Sequence, residues 1–222
     1  MRWMFLLLAF MGTAAAQAPN GAPLGAPNAE LPHPRPAPPP AGSIAEPGKP
    51  GWTVFERTGC WAWNPNPQQE EVVLWTGPCP EGPAEGEGLL IWRYVEDSAQ
   101  RAERYVGTMA RGRMHGIGTY LDAEGDIYQG EWQEGREHGR GLRVWALGRY
   151  DGEWREGKRH GRGVMFWING NLFRGEFRDD RPEGLGEYYS VEGGWFRGAW
   201  LAGCFREGER QAAIGRPIEE CP

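Results

Sequence analysis

Tyr150 to Gly163 reads YDGEWREGKRHGRG, and this stretch decides the fold. Tyr150, Gly152 and Trp154 alternate with Asp151 and Glu153, the period-2 signature of a half-buried strand. REGKRH then supplies a turn with a glycine free to take φ > 0. The return strand, GRGVMFW, opens with Gly161 and Gly163 at alternate positions, which predicts that both face one way. Bare glycine beside a large ring lets that ring lie flat on backbone. Each aromatic is therefore expected to pack over glycine from a paired strand.

The same frame recurs as YQGEWQEGREHGRG from Tyr128, YVGTMARGRMHGIG from Tyr105 and FRGEFRDDRPEGLG from Phe173. The starts are 23, 22 and 23 residues apart, and Asp180 is the one departure from the glycine pattern. Framework positions are Tyr105, Gly107, Tyr128, Gly130, Trp132, Tyr150, Gly152, Trp154, Phe173, Gly175 and Phe177. A further start at Phe196 gives FRGAWLAG, with Phe196, Gly198 and Trp200 in frame, and then loses the glycine pair. Upstream, Trp75 to Gly88 reads WTGPCPEGPAEGEG. It keeps Trp75, Gly77 and every later glycine but carries Cys79 at the large apolar position. Seven extra residues within RYVEDSAQRAE make the next spacing 30. Irregular first and last copies suit a repeat array, whose terminal units present a face without a neighbour. The fold class is all-β, an antiparallel meander that grows by two strands per repeat.

The frame YxGEWxxGxxxGxG resembles the membrane occupation and recognition nexus (MORN) repeat, over Trp75 to about Gly203. The resemblance implies an elongated, twisted antiparallel sheet that serves as a scaffold in multiprotein assemblies, and contacts with phospholipids as a lesser alternative. GCWAWNP followed by WTGPCPEG resembles the opening of exported bacterial MORN-type proteins, which implies a cell-envelope or secreted setting.

The ends carry separate signals. Residues 1–16, MRWMFLLLAFMGTAAA, combine a basic start, a short apolar run and a small-residue cleavage pattern. Cleavage between Ala16 and Gln17 is expected, with export to the periplasm or beyond it, and the apolar run is too short for a transmembrane helix. Eleven of the 34 residues from Gln17 to Pro50 are proline, which predicts a disordered tether acting as a spacer rather than as a ligand. Residues 51–74 form an N-terminal cap segment, 75–210 the array and 211–222 a tail. Without its leader the chain holds 23 basic and 30 acidic residues, a net charge of −7. That balance argues against nucleic-acid binding and, unless charge segregates by face, against anionic lipid.

Cys60, Cys79, Cys204 and Cys221 allow three pairings. In an elongated array only Cys60–Cys79 and Cys204–Cys221 bring α-carbons within the roughly 7 Å a disulfide needs. Such bridges suit an exported chain and tie the two ends of the array.

No catalytic residue, metal site or cofactor is read from the sequence. His115, His138 and His160 share one offset, with Glu85 and Glu183 in the flanking copies. One repeat advances roughly 9.6 Å, too far for ligands to converge on one ion, so these read as turn residues of a solvated edge. Glu131, Glu153 and Glu176, with Arg136, Lys158 and Arg181, read as surface ion pairing, because equivalent sites cannot divide into acid and base. The serines lie outside GxSxG, and the GxG pairs sit in hairpins rather than before helices. The remaining candidates are strand-end aromatics: Trp145, Phe166, Trp167, Tyr188 and Tyr189. Phe166-Trp167 and Tyr188-Tyr189 put neighbours on opposite faces, so one of each pair leaves the main aromatic row. The expected role is a scaffold for an unidentified protein partner. The alternative is a glycan or peptidoglycan binder that stacks sugars on exposed rings. A free sheet edge at either end makes dimerisation possible.

Overall fold

The computed structural model describes residues 37–42 and 44–221. The expected signal peptide, its Ala16–Gln17 cleavage point and the tether through residue 36 lie outside the described residues.

Among the described residues the chain forms a two-stranded sheet and a thirteen-stranded antiparallel sheet whose spatial order follows chain order. Strands β1 (Gly51–Val54) and β2 (Trp61–Asn64) pair with each other. The large sheet begins with β3 (Val72–Trp75), β4 (Gly86–Glu96), β5 (Ala99–Ala110) and β6 (Arg113–Leu121). It continues through β7 (Ile127–Gln133), β8 (Arg136–Trp145), β9 (Gly148–Arg155) and β10 (Lys158–Trp167). Next come β11 (Leu172–Arg178), β12 (Arg181–Ser190), β13 (Gly194–Leu201), β14 (Cys204–Glu207) and β15 (Arg210–Ala213). The sheet is thus a little longer than the expected 75–210 at both ends. The seven extra residues add no loop: they lengthen β4 and β5, which close through Asp97-Ser98.

The strands bury one face only, with β7, β9, β11 and β13 alternating buried and exposed positions. Gly88, Gly107, Gly118, Gly130, Gly141, Gly152, Gly163, Gly175, Gly186 and Gly198 lie opposite one another across β4 to β13. A buried ring lies over this file in each repeat. A Cβ at Gly118 would sit 2.4 Å from the Tyr105 ring, at Gly141 2.3 Å from the Tyr128 hydroxyl, and at Gly186 2.5 Å from Phe173. The first copy obeys the same rule, with Gly88 under Trp75. Within and between repeats the rings meet edge to face in an unbroken zigzag: Tyr105–Trp132–Tyr128–Trp154–Tyr150–Phe177–Phe173–Trp200, with centroids 5.1–5.4 Å apart. Each such contact adds about 0.5–1.5 kcal/mol beyond its buried area.

The turns inside the repeats have two residues, both with positive φ, as in Glu134-Gly135 at 50° and 82°, and Glu156-Gly157 at 52° and 81°. Their twist matches that of the flanking strands. Each turn is tied to the preceding repeat: Gly112, Gly135, Gly157, Asp180 and Gly203 donate N–H to the carbonyls of Ala84, Met114, Glu137, Arg159 and Pro182, at 2.8–3.1 Å.

Two expectations need correction. The paired glycines of each return strand do not face one way. The first sits in a β-bulge at positive φ (Gly139 +54°, Gly161 +55°), where a Cβ would strike the Glu131 or Glu153 carboxyl, and only the second lies under a ring. The extra bulged residue reverses side-chain direction. The tether also ends before Pro50. Ile44 bridges Trp52, Ala45 N–H donates to the Trp52 carbonyl (3.0 Å), and Gly48 N–H donates to the Pro67 carbonyl (3.0 Å). These residues keep the amide hydrogens that proline lacks, and the amides dock the segment.

Candidate interaction surface

Main-chain carbonyls satisfy the polar tips of the buried framework residues. The hydroxyls of Tyr105, Tyr128 and Tyr150 donate to the carbonyls of Thr108, Glu131 and Glu153 at 2.8, 3.0 and 3.0 Å. Trp132, Trp154 and Trp200 donate indole N–H to the carbonyls of Gly118, Gly141 and Gly186 at 3.1–3.3 Å. Burial raises the pKa of all three tyrosines, so they stay neutral donors. Trp75, at the edge of the sheet, donates to the Pro78 carbonyl (3.0 Å), and Gly77 packs against its ring. Phe196 closes the other end against Phe205.

The repeated polar residues hold backbone rather than ligands. The Glu131 and Glu153 carboxylates accept the bulge amides of Arg140 (2.8 Å) and Arg162 (3.1 Å), and Glu176 occupies the matching place beside Gly184. The expected ion-pair ladder runs instead along the turns, where Arg111 meets Glu134 at 2.8 Å and Arg136 meets Glu156 at 3.9 Å. Lys158 and Arg181 open β10 and β12. The histidine offset differs from the expected solvated turn. His115, His138 and His160 are half-buried inside β6, β8 and β10. Glu85 and Glu183 show what this offset supports, accepting N–H from Arg111 (2.9 Å) and Ala202 (2.7 Å) in the following turn. Among the described residues no three His, Cys, Asp or Glu side chains converge as a metal site requires.

Cys60 is bonded to Cys79 and Cys204 to Cys221, with Cα–Cα distances of 5.8 and 5.6 Å.

The strand-end aromatics divide by face. Trp145, Trp167 and Tyr188 are half-buried and pack against the ring row, and Tyr188 accepts a hydrogen bond from Asn171 Nδ2 (2.8 Å). Phe166 and Tyr189 lie on the solvent face. The Arg149 guanidinium covers Phe166 at 4.5 Å, and Tyr189 meets Trp195 at 5.2 Å with Arg197 stacked on the latter at 4.5 Å. Trp195 escaped the sequence reading because it follows a turn rather than ending a strand.

Charges of both signs occupy both faces. On the solvent side of β8 to β13, Arg140, Arg155, Arg162, Arg174, Arg178 and Arg197 interleave with Asp151, Glu153, Glu176 and Glu187. An open groove of about 720 Å³ runs over the glycine file here, between Arg162, Val164, Arg174, Leu185 and Arg197. A second groove of about 400 Å³ opens on the aromatic face, lined by Asp126, Arg143, Trp145, Trp154, Arg159 and Asp180.

The ring-over-glycine hairpin, repeated in register with a bulge and a two-residue turn, is what a family model describes. The MORN repeat model matches residues 105–127, 128–146, 150–172 and 173–195. The chain carries a MORN-repeat domain of four repeats. No curated protein matches the chain. The copies at Trp75 and Phe196 lie outside the matched segments, yet their strands continue the MORN sheet at either side. Among the described residues no helix is long and apolar enough to cross a membrane. What the MORN sheet presents is a repeat-built scaffold with one ring-covered face and one solvated face.

Proposed function

We propose that the protein is an exported scaffold of the bacterial cell envelope, or of the space outside the cell, that holds a protein partner along the solvent face of its MORN sheet. The observation that carries this reading is the 720 Å³ groove, in which the exposed aliphatic Leu185 (70% accessible) stands between arginines. An apolar anchor ringed by charge suits a polypeptide surface better than it suits a small substrate. A photo-crosslinking residue placed at Leu185 in cells is expected to capture a discrete protein, while the same residue at Asn169, in a turn outside the groove, captures none. Equal labelling at both positions, or none at Leu185, defeats the reading. Export is checked by fractionation together with sequencing of the mature N-terminus, which is expected at Gln17.

A glycan is the second reading, favoured by Trp145 beside Asp126 and Arg143 in the smaller groove. It requires that insoluble peptidoglycan retain the protein and that Trp145→Ala abolish the retention.

A further inference from the structure

Trp61 is nine-tenths buried in β2, and its one polar side-chain atom is the indole Nε1. Its indole N–H donates to the Ala37 carbonyl at 2.8 Å. Ala37 begins Ala37-Pro38-Pro39-Pro40. A proline run has no amide hydrogens and offers only carbonyl acceptors, whereas an indole is a donor only. The two chemistries are therefore complementary, as in domains that read extended proline-rich segments with tryptophan. Ala37 precedes a proline, which confines it to extended backbone and fixes its carbonyl before binding.

The floor of this site is Gly82. A Cβ there would fall 2.4 Å from the Ala37 carbonyl oxygen and 2.8 Å from Trp61 Nε1, so any side chain would expel the segment. Trp61 and Gly82 are held together by design of the backbone: Trp61 N–H donates to the Gly82 carbonyl (2.9 Å), and Ala84 N–H donates to the Trp61 carbonyl (2.8 Å). The Cys60–Cys79 bridge joins the same two pieces of chain one and three residues away. Trp52 packs edge-on against the Trp61 ring at 4.6 Å and leaves it one orientation.

We propose that Trp61 and Gly82 form a binding site for an extended polyproline segment, and that the chain's own Ala37–Pro40 occupies it. The proline-rich stretch is then a strap with its reader in the same chain, where a plain spacer was expected. The Cys60–Cys79 bridge keeps the two halves of the site in register.

The test uses the full chain labelled with ¹⁵N at tryptophan. Its partner is a variant with Pro38→Ser, Pro39→Ser and Pro40→Ser, which restores rotational freedom and amide hydrogens to the strap. In the parent the Trp61 indole proton is expected to exchange with water at least about tenfold more slowly than in the variant, as a protected donor should. The peptide acetyl-APPPA-amide is expected to shift the Trp61 indole resonance of the variant in a saturable way and to leave the parent unmoved. The peptide acetyl-ASSSA-amide is expected to shift neither. Unchanged indole resonances for Trp132, Trp154 and Trp200 certify that the variant is folded. Equal Trp61 exchange in both chains overturns the proposal, and so does a variant that ignores acetyl-APPPA-amide or answers the serine peptide equally.

Discussion

The repeats beginning at Tyr150 and Phe173 are neighbours with the same backbone and different chemistry. The first has a hydroxyl at Tyr150, an indole N–H at Trp154 and a glycine at the second turn position, and all three polar ties are formed. The second has Phe173 and Phe177, which can make neither side-chain bond, and Asp180 in the glycine place with φ of 72°. Yet both rings bury fully over glycine and both turns bond to the preceding repeat. Ring shape over bare backbone is therefore the shared requirement, and the polar ties are additions to it.

The sharpest way to break this comparison is Gly163→Ala. Its Cβ would lie 2.4 Å from the Tyr150 hydroxyl and 2.5 Å from the ring, with the ring wedged against Trp154 and Phe177. A loss of about 3 kcal/mol or more is expected in denaturant unfolding, at the upper end for overpacking. Gly186→Ala beneath Phe173 is expected to cost as much, although that repeat lacks the two side-chain ties.

At the start of the sheet a half-buried carboxyl adds a polar contribution of its own. Burial and the nearby Glu103 push the Glu71 carboxyl up to about 7, against the opposing hydrogen bond from Asn64. Because the folded-state value is raised, the folded chain binds more protons than the unfolded chain between pH 4.5 and about 7. Stability is then expected to fall as pH rises through that window and to be level below it. Discounted for partial exposure, the change is about 1–2 kcal/mol. Unfolding titrations of Glu71→Gln are expected to lose this slope.

A smaller effect comes from Tyr150→Phe, which turns one repeat towards the other. It removes the bond to the Glu153 carbonyl and is expected to cost about 1 kcal/mol in the same unfolding measurement. Asp180→Gly makes the opposite conversion at the turn. It relieves left-handed strain of about 1 kcal/mol but gives up the carboxylate that accepts Arg159 Nε–H at 2.9 Å and Arg159 N–H at 3.1 Å, so the unfolding free energy is expected to change by less than about 0.5 kcal/mol.

What could be read from the residues follows the same division. Alternation and glycine spacing expose strands, turns and the ring-over-glycine contact, because each depends on a period within one hairpin. The bulge at Gly161 could not be read that way. Its sign is Glu153, whose carboxylate accepts a main-chain amide nine residues later, and a carboxylate in a strand looks like any solvated charge. Residues 44–50 were hidden for another reason. Proline content set the expectation for the whole segment, while two of its remaining amides, on Ala45 and Gly48, decided where it docks. The interaction surface was legible only as excess aromatics. The solvent-face arginines and Trp195 belong to cross-strand rows that exist only once the register is fixed.

Tension shows what the two disulfides mean for a meander. A force applied at the termini of such a sheet peels it one ladder at a time, starting at the outermost strands. The bridge from Cys60 to Cys79 carries the load past β2 and β3, and the bridge from Cys221 to Cys204 carries it past β14 and β15. The edge strands of the thirteen-stranded sheet therefore bear no pull. β1 lies before Cys60 and stays in the path, so its ladder with β2 is loaded first, and within the large sheet the load enters at β4 and β13, where the glycine file begins and ends.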